Sequence, residues 1–98
     1  MTKYYEKSSM MIGRKIADEF ILVPVTHNIG DLSMMYTLNS VGNRIWELLN
    51  GGGRTVKEIA SILTQEFEVD IQRAEADVIE FLDQMEEIKA VVTRTEES

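Results

Sequence analysis

Apolar residues recur at helical spacing only between Asn39 and Lys89 of this 98-residue chain; before Asn39 they come in short β-rich runs. Strands first and helices second, each in its own block, is the pattern of an α+β domain. In the helical half, Asn39 is placed to cap a helix over 40–50 whose stripe is Val41, Ile45, Leu48 and Leu49. Gly51-Gly52-Gly53 stops it, because glycine fits the left-handed position after a helix and three in a row cannot extend one. Thr55 and Glu58 have capping-box spacing and open a helix over 56–67, with Val56, Ile59, Ala60, Leu63 and Phe67 turned inward. Asp70 caps a third helix over 71–88, with Val69 placed to staple against Ala74. Its stripe of Ile71, Ala74, Val78, Phe81, Leu82, Met85 and Ile88 is wide enough for burial on more than one side. Trp46 stands one position off the first stripe, so it is expected to be partly buried where that helix meets the sheet or the third helix.

Upstream, weak alternation predicts an edge strand at 14–18, and the run 20–25 (Phe-Ile-Leu-Val-Pro-Val) predicts a second, with Asp18-Glu19 as the tight connection. Pro24 cannot donate a ladder hydrogen bond and belongs at a strand end or a sheet edge. Residues 27–31 are turn chemistry, and 33–38 read as a third strand. Residues 1–11 show no period and are expected to be a flexible segment, 12–93 to form the folded domain, and 94–98 to be an acidic tail. Residues 90–93 add a short final strand.

The net charge of −7 repels phosphate, so neither nucleic acid nor a membrane is an expected partner. The charge is uneven: residues 1–54 sum to +1 and residues 55–98 to −8. The acids of the last two helices either solvate outer faces or form a wall for a basic partner. The absence of cysteine excludes disulfides, thiolate metal sites and a cysteine nucleophile. His27 is the only histidine, sits in a turn, and has no ligand-type neighbour closer than Asp31. Glu66, Glu68 and Asp70 lack the glycine turn and the distal glutamate of a calcium loop. Gly51-Gly52-Gly53-Arg54 lacks the Gly-Lys-Ser/Thr of a phosphate loop, and Asp31-Leu32-Ser33 is not the Asp-Ser-Leu of an acyl carrier. No enzyme, cofactor or metal is therefore expected. The longest apolar run, at 20–25, is far short of the roughly 20 residues that span a bilayer. With no apolar signal-peptide core at the N-terminus, a cytoplasmic location is expected.

One set of residues carries a family pattern: Tyr36-Thr37-Leu38-Asn39, Gly42, Ile45-Trp46-Glu47-Leu48-Leu49, Gly53-Arg54-Thr55-Val56, Glu58-Ile59-Ala60 and Asp77-Val78-Ile79-Glu80-Phe81-Leu82. Over about residues 12–92 the chain resembles the PqqD-like family, peptide-recognition elements related to pyrroloquinoline quinone biosynthesis protein D. The resemblance implies a winged-helix-like fold, a three-stranded antiparallel N-terminal sheet against a three-helix bundle. It also implies a non-catalytic module that holds the leader of a ribosomally made precursor peptide and presents it to a radical SAM maturase. In the family the leader adds as a strand beside the third strand and lies in a groove walled by the third helix. Carried over by position, Ser33, Met34, Met35, Tyr36 and Thr37 supply the strand edge. Glu75, Val78, Ile79, Leu82 and Glu86 are the candidate contacts on the helix, with Ile79 and Leu82 as groove floor and the glutamates as lips.

An unpaired strand gives a physical mechanism for such capture, since an extended peptide satisfies its N–H and C=O groups while pockets read side chains. Ala74, Val78, Phe81 and Met85 are the positions expected to face the core. On the sequence alone Ile79 fits a groove floor or ordinary packing, and Met34 and Met35 fit core or pocket. Quinone-pathway members reach the third strand through a shorter Pro-Glu turn and have glycine where Lys89 stands, so the expected cargo is some other peptide. Two readings from other classes remain: a scaffold domain without peptide binding, and a winged-helix DNA-binding regulator. The second is disfavoured because the third helix with its flanking residues, 70–89, offers only Gln72, Arg73, Gln84 and Lys89 among seven acids. A free edge also permits a weak homodimer.

Overall fold

The computed structural model describes residues 2–25 and 35–96. The turn expected at 27–31, and Ser33 and Met34, lie outside the described residues. The chain opens with β1 (Thr2–Lys7), which pairs antiparallel along its whole length with β5 (Val91–Glu96), from Thr2 opposite Glu96 to Lys7 opposite Val91. This corrects the expectation of a flexible start and a free acidic tail. Tyr5 also exchanges two backbone hydrogen bonds with Arg54, at 2.8 and 3.1 Å, on the other side of β1. Tyr5 and Val91 are buried, and Arg94 donates to Glu6 at 2.9 Å across the pair. Only one residue of each strand is buried, too few to write an alternating pattern.

A three-stranded antiparallel sheet follows in the order β2 (Met11–Ile16), β3 (Glu19–Pro24), β4 (Tyr36–Leu38). Ile16 pairs with Glu19, so the tight connection is Ala17-Asp18, one residue earlier than expected, and Ala17 takes a positive φ of 56°. Met35 precedes β4 rather than lying in it. With β3 central, β2 and β4 each present an outer edge that no described strand occupies.

The helices begin where their caps predict. Asn39 Oδ1 accepts from the Gly42 amide at 2.7 Å to open α1 (Ser40–Leu48). Thr55 and Glu58 form both halves of a capping box, each bond 3.1 Å, before α2 (Val56–Glu66). Asp70 accepts from the Arg73 amide at 2.8 Å before α3 (Ile71–Glu87). At the end of α3, Ala90 N–H donates to the Met85 carbonyl at 2.8 Å and Lys89 N–H to the Glu86 carbonyl at 3.0 Å. That closure needs a left-handed residue, and Lys89 supplies it with φ 64°. Arg54 Nε donates to the Leu48 carbonyl, covering the end of α1.

The core joins Leu22 and Leu38 of the sheet to Ile45, Trp46 and Leu49 of α1, Ile59 and Leu63 of α2, and Ala74, Val78, Leu82 and Met85 of α3. Trp46 is 4% exposed, more deeply placed than its off-stripe position suggested. On α3 the buried line is completed by Leu82, while Phe81, expected inside, is half-buried. The architecture is an α+β, winged-helix-like domain.

Candidate functional site: a cleft beside a free strand edge

The outer edge of β4 is the first component of the site. In an antiparallel ladder alternate residues turn their N–H and C=O groups toward the neighbour, and the intervening ones turn theirs outward. Among the described residues no strand pairs with the outer edge of β4, whose outward backbone groups are available on that side. Leu38 is buried and Thr37 exposed, as the alternation of a half-buried strand requires. The capping of Asn39 turns the chain directly from β4 into α1, which brings Val41 and Gly42 alongside α3.

Two recesses lie along α3, one against the start of α1 and one that includes Tyr36 of β4. One, of about 310 Å³, is lined by Asn39, Val41, Gly42 and Ile45 on one side and Asp77, Glu80, Phe81 and Gln84 on the other. A Cβ at Gly42 would lie 3.0 Å from the Phe81 ring, so glycine lets the two helices approach closely here. The second, of about 390 Å³, joins Tyr36 with Met10, Met11, Pro24, Glu87, Ile88 and Lys89. Positions 77, 81, 84 and 88 follow helical spacing, so one flank of α3 runs past both recesses. The cleft can hold side chains of an extended segment while the strand edge holds its backbone.

The helix residues chosen from the sequence do not come together at this cleft. Val78, which was also a position expected to face the core, and Leu82, expected with Ile79 as groove floor, are both 0% exposed and belong to the core. Ile79 is 45% exposed, but at about 100° per residue it points about 160° away from Phe81. Glu75 and Glu86 share the Ile79 flank, and Glu86 pairs with Lys3 of β1 at 3.9 Å. Tyr36 and Thr37 do stand at the edge, and Met35 immediately precedes it. Phe81, Gln84 and Ile88, which line the two recesses, were not singled out from the sequence because Phe81 and Leu82 are both apolar, and only packing against α1, α2 and the sheet fixes which of them is central.

Among the described residues no three His, Asp or Glu side chains cluster as a metal site would need, and no helix is long and apolar enough to cross a membrane. The ion pairs serve the frame. Arg44 clasps Glu66 through two bonds of 2.7 Å, tying α1 to the end of α2. These hydrogen bonds hold the Glu66 carboxyl below its ordinary pKa and raise that of Arg44.

The fold has solved relatives. It is similar to a structure of TbiB1 in complex with the TbiA(β) leader peptide, at 28% identity and a TM-score of 0.71, over 88% of this chain and 93% of that one. It also shares its fold with a lasso peptide synthetase B1 complexed with the leader peptide, at 20% identity and a TM-score of 0.70, over 90% of this chain and 96% of that one. No protein of curated function gives a significant match. Residues 14–91 match the family described as coenzyme PQQ synthesis protein D (PqqD). That span takes in the β2–β4 sheet, all three helices and the cleft between them, and the chain accordingly belongs to the PqqD family, whose members are non-catalytic peptide-binding domains.

Proposed function

We propose that this domain captures the leader of a ribosomally made precursor peptide as a strand added to the outer edge of β4. The observation that carries the reading is the edge of β4, unpaired among the described residues, lying beside the cleft walled by Phe81, Gln84 and Ile88. The two similar structures, each a complex with a leader peptide, support it. Main-chain pairing contributes only about 0.5–1.5 kcal/mol net per bond, because water competes for the same groups. Affinity then rests on apolar leader side chains entering the two recesses, with Tyr36, Phe81 and Ile88 as anchors. Met35, Tyr36 and Thr37 remain contact residues in this proposal; on α3 the contacts move to the flank that faces β4.

The bound leader is presented to a separate maturation enzyme in the cytoplasm. The PqqD family points to a radical SAM maturase in that role. The lasso peptide synthetase B1 likeness favours a second reading, in which the cargo is a lasso peptide precursor. Isothermal titration with the leader of a precursor found by inspecting this gene's neighbourhood tests capture. N-methylation of alternate leader amides abolishes binding in one register and spares it in the other, which distinguishes strand addition from side-chain docking. Absence of binding by the wild type favours a scaffold role, and a concentration-dependent dimer competing with the leader would mark the same edge as self-pairing.

A further inference from the structure

A further recess lies between the face of the sheet and α1. It measures about 340 Å³ and draws its lining from all three strands, Leu38 of β4 included, with Lys7, Arg14 and Lys15 near Trp46, Asn43 and Asn50. Its charge opposes that of the chain: three cations line it against one carboxylate, Glu47, which Arg44 approaches at 3.8 Å. The Lys7 ammonium sits 4.6 Å from the centre of the Trp46 ring and donates to Asn50 Oδ1, so its charge is held in place. Lys15 lies over the Phe20 ring at 5.6 Å. Among the described residues Arg14 and Lys15 form no ion pair, and Lys7 none either. Burial holds Lys7 below its ordinary pKa, against a raising pull from Glu47.

We propose that this recess, together with the outer edge of β2 that no described strand occupies, is a docking site for an extended acidic segment of a partner protein other than the leader. Charge complementarity selects the occupant: a carboxylate-bearing segment meets three cations and amide donors, whereas a basic or neutral one leaves them unpaired. The edge of β2 supplies backbone partners for an extended chain. No residue that lines this recess lines either recess of the leader cleft, so its occupancy leaves that cleft open.

Trp46 is the only tryptophan and lines the recess, so its fluorescence reports this site and not the Phe81 cleft. The probe is a short synthetic peptide alternating Glu and Val, with a twin carrying Gln for Glu. The expected result is a saturable change in Trp46 emission with the Glu peptide and none with the Gln twin. Affinity should fall about tenfold when salt rises from about 0.1 M to about 1 M, as exposed charge pairs are screened. The double variant Arg14→Glu, Lys15→Glu, both exposed on the hairpin, should lose the response while circular dichroism and Tm stay unchanged. An equal response to the Gln twin, persistence in a folded double variant, or no response in the wild type would overturn the proposal. So would displacement of the Glu peptide by the precursor leader, which would place both in one groove.

Discussion

The indole of Trp46 lies against the backbone of Gly13, so closely that a Cβ at position 13 would fall 2.7 Å from Trp46 Nε1. The glycine of an edge strand thereby sets how deeply α1 can seat its largest side chain. Gly13→Ala must move either the indole or β2, and should cost about 1–3 kcal/mol. Trp46→Ala, at a position 4% exposed, should cost about 3–5 kcal/mol. Urea denaturation of both singles and the double variant checks this; the double should lose less than the sum, since the clash needs both partners.

The phase of α3 separates fold from binding. Leu82→Asp should unfold the domain, because a carboxylate at a 0% exposed position has no partner. Ile79→Asp should leave both the fold and leader affinity near wild type. Phe81→Ala should stay folded and lose at least about tenfold in leader affinity, about 1.4 kcal/mol. Circular dichroism with isothermal titration reads all three, and loss of binding in folded Ile79→Asp would return the groove to the other flank.

Lys89 holds a left-handed conformation that glycine adopts without steric cost. Lys89→Gly should raise stability by about 0.5–1 kcal/mol, the relief of left-handed strain less the added chain entropy of glycine. A higher urea midpoint at unchanged m-value is the expected observation; a lower midpoint would mean that the Lys89 side chain contributes contacts of its own.

Glu66 titrates below its ordinary value in the folded chain because Arg44 donates two hydrogen bonds to it. Its contribution to stability is therefore present above the unfolded carboxylate range and disappears as pH falls through the folded value. Wild type should exceed Glu66→Gln in Tm at neutral pH, by a small margin for so exposed a pair, and the two should converge in acid. A difference that is constant with pH would assign the effect to packing rather than charge.

Local chemistry fixed the helices. Asn39, Thr55 with Glu58, and Asp70 each satisfy amides within three residues, so their caps form wherever the chain goes next, and the stripes they open follow from helical spacing. The hairpin of β2 and β3 was legible for a similar reason, since its partners are neighbours in the chain. Two things were decided only by tertiary contacts. The pairing of Thr2 with Glu96 joins the two ends of the chain, and no local pattern encodes a partner so distant. The rotation of α3 was the other: Phe81 and Leu82 are equally apolar, and the choice of Leu82 for the core depended on the surfaces of α1, α2 and the sheet closing around it. Sequence spacing can specify that a helix has a buried face, but the neighbours determine where that face is centred, and with it which flank is left to line a cleft.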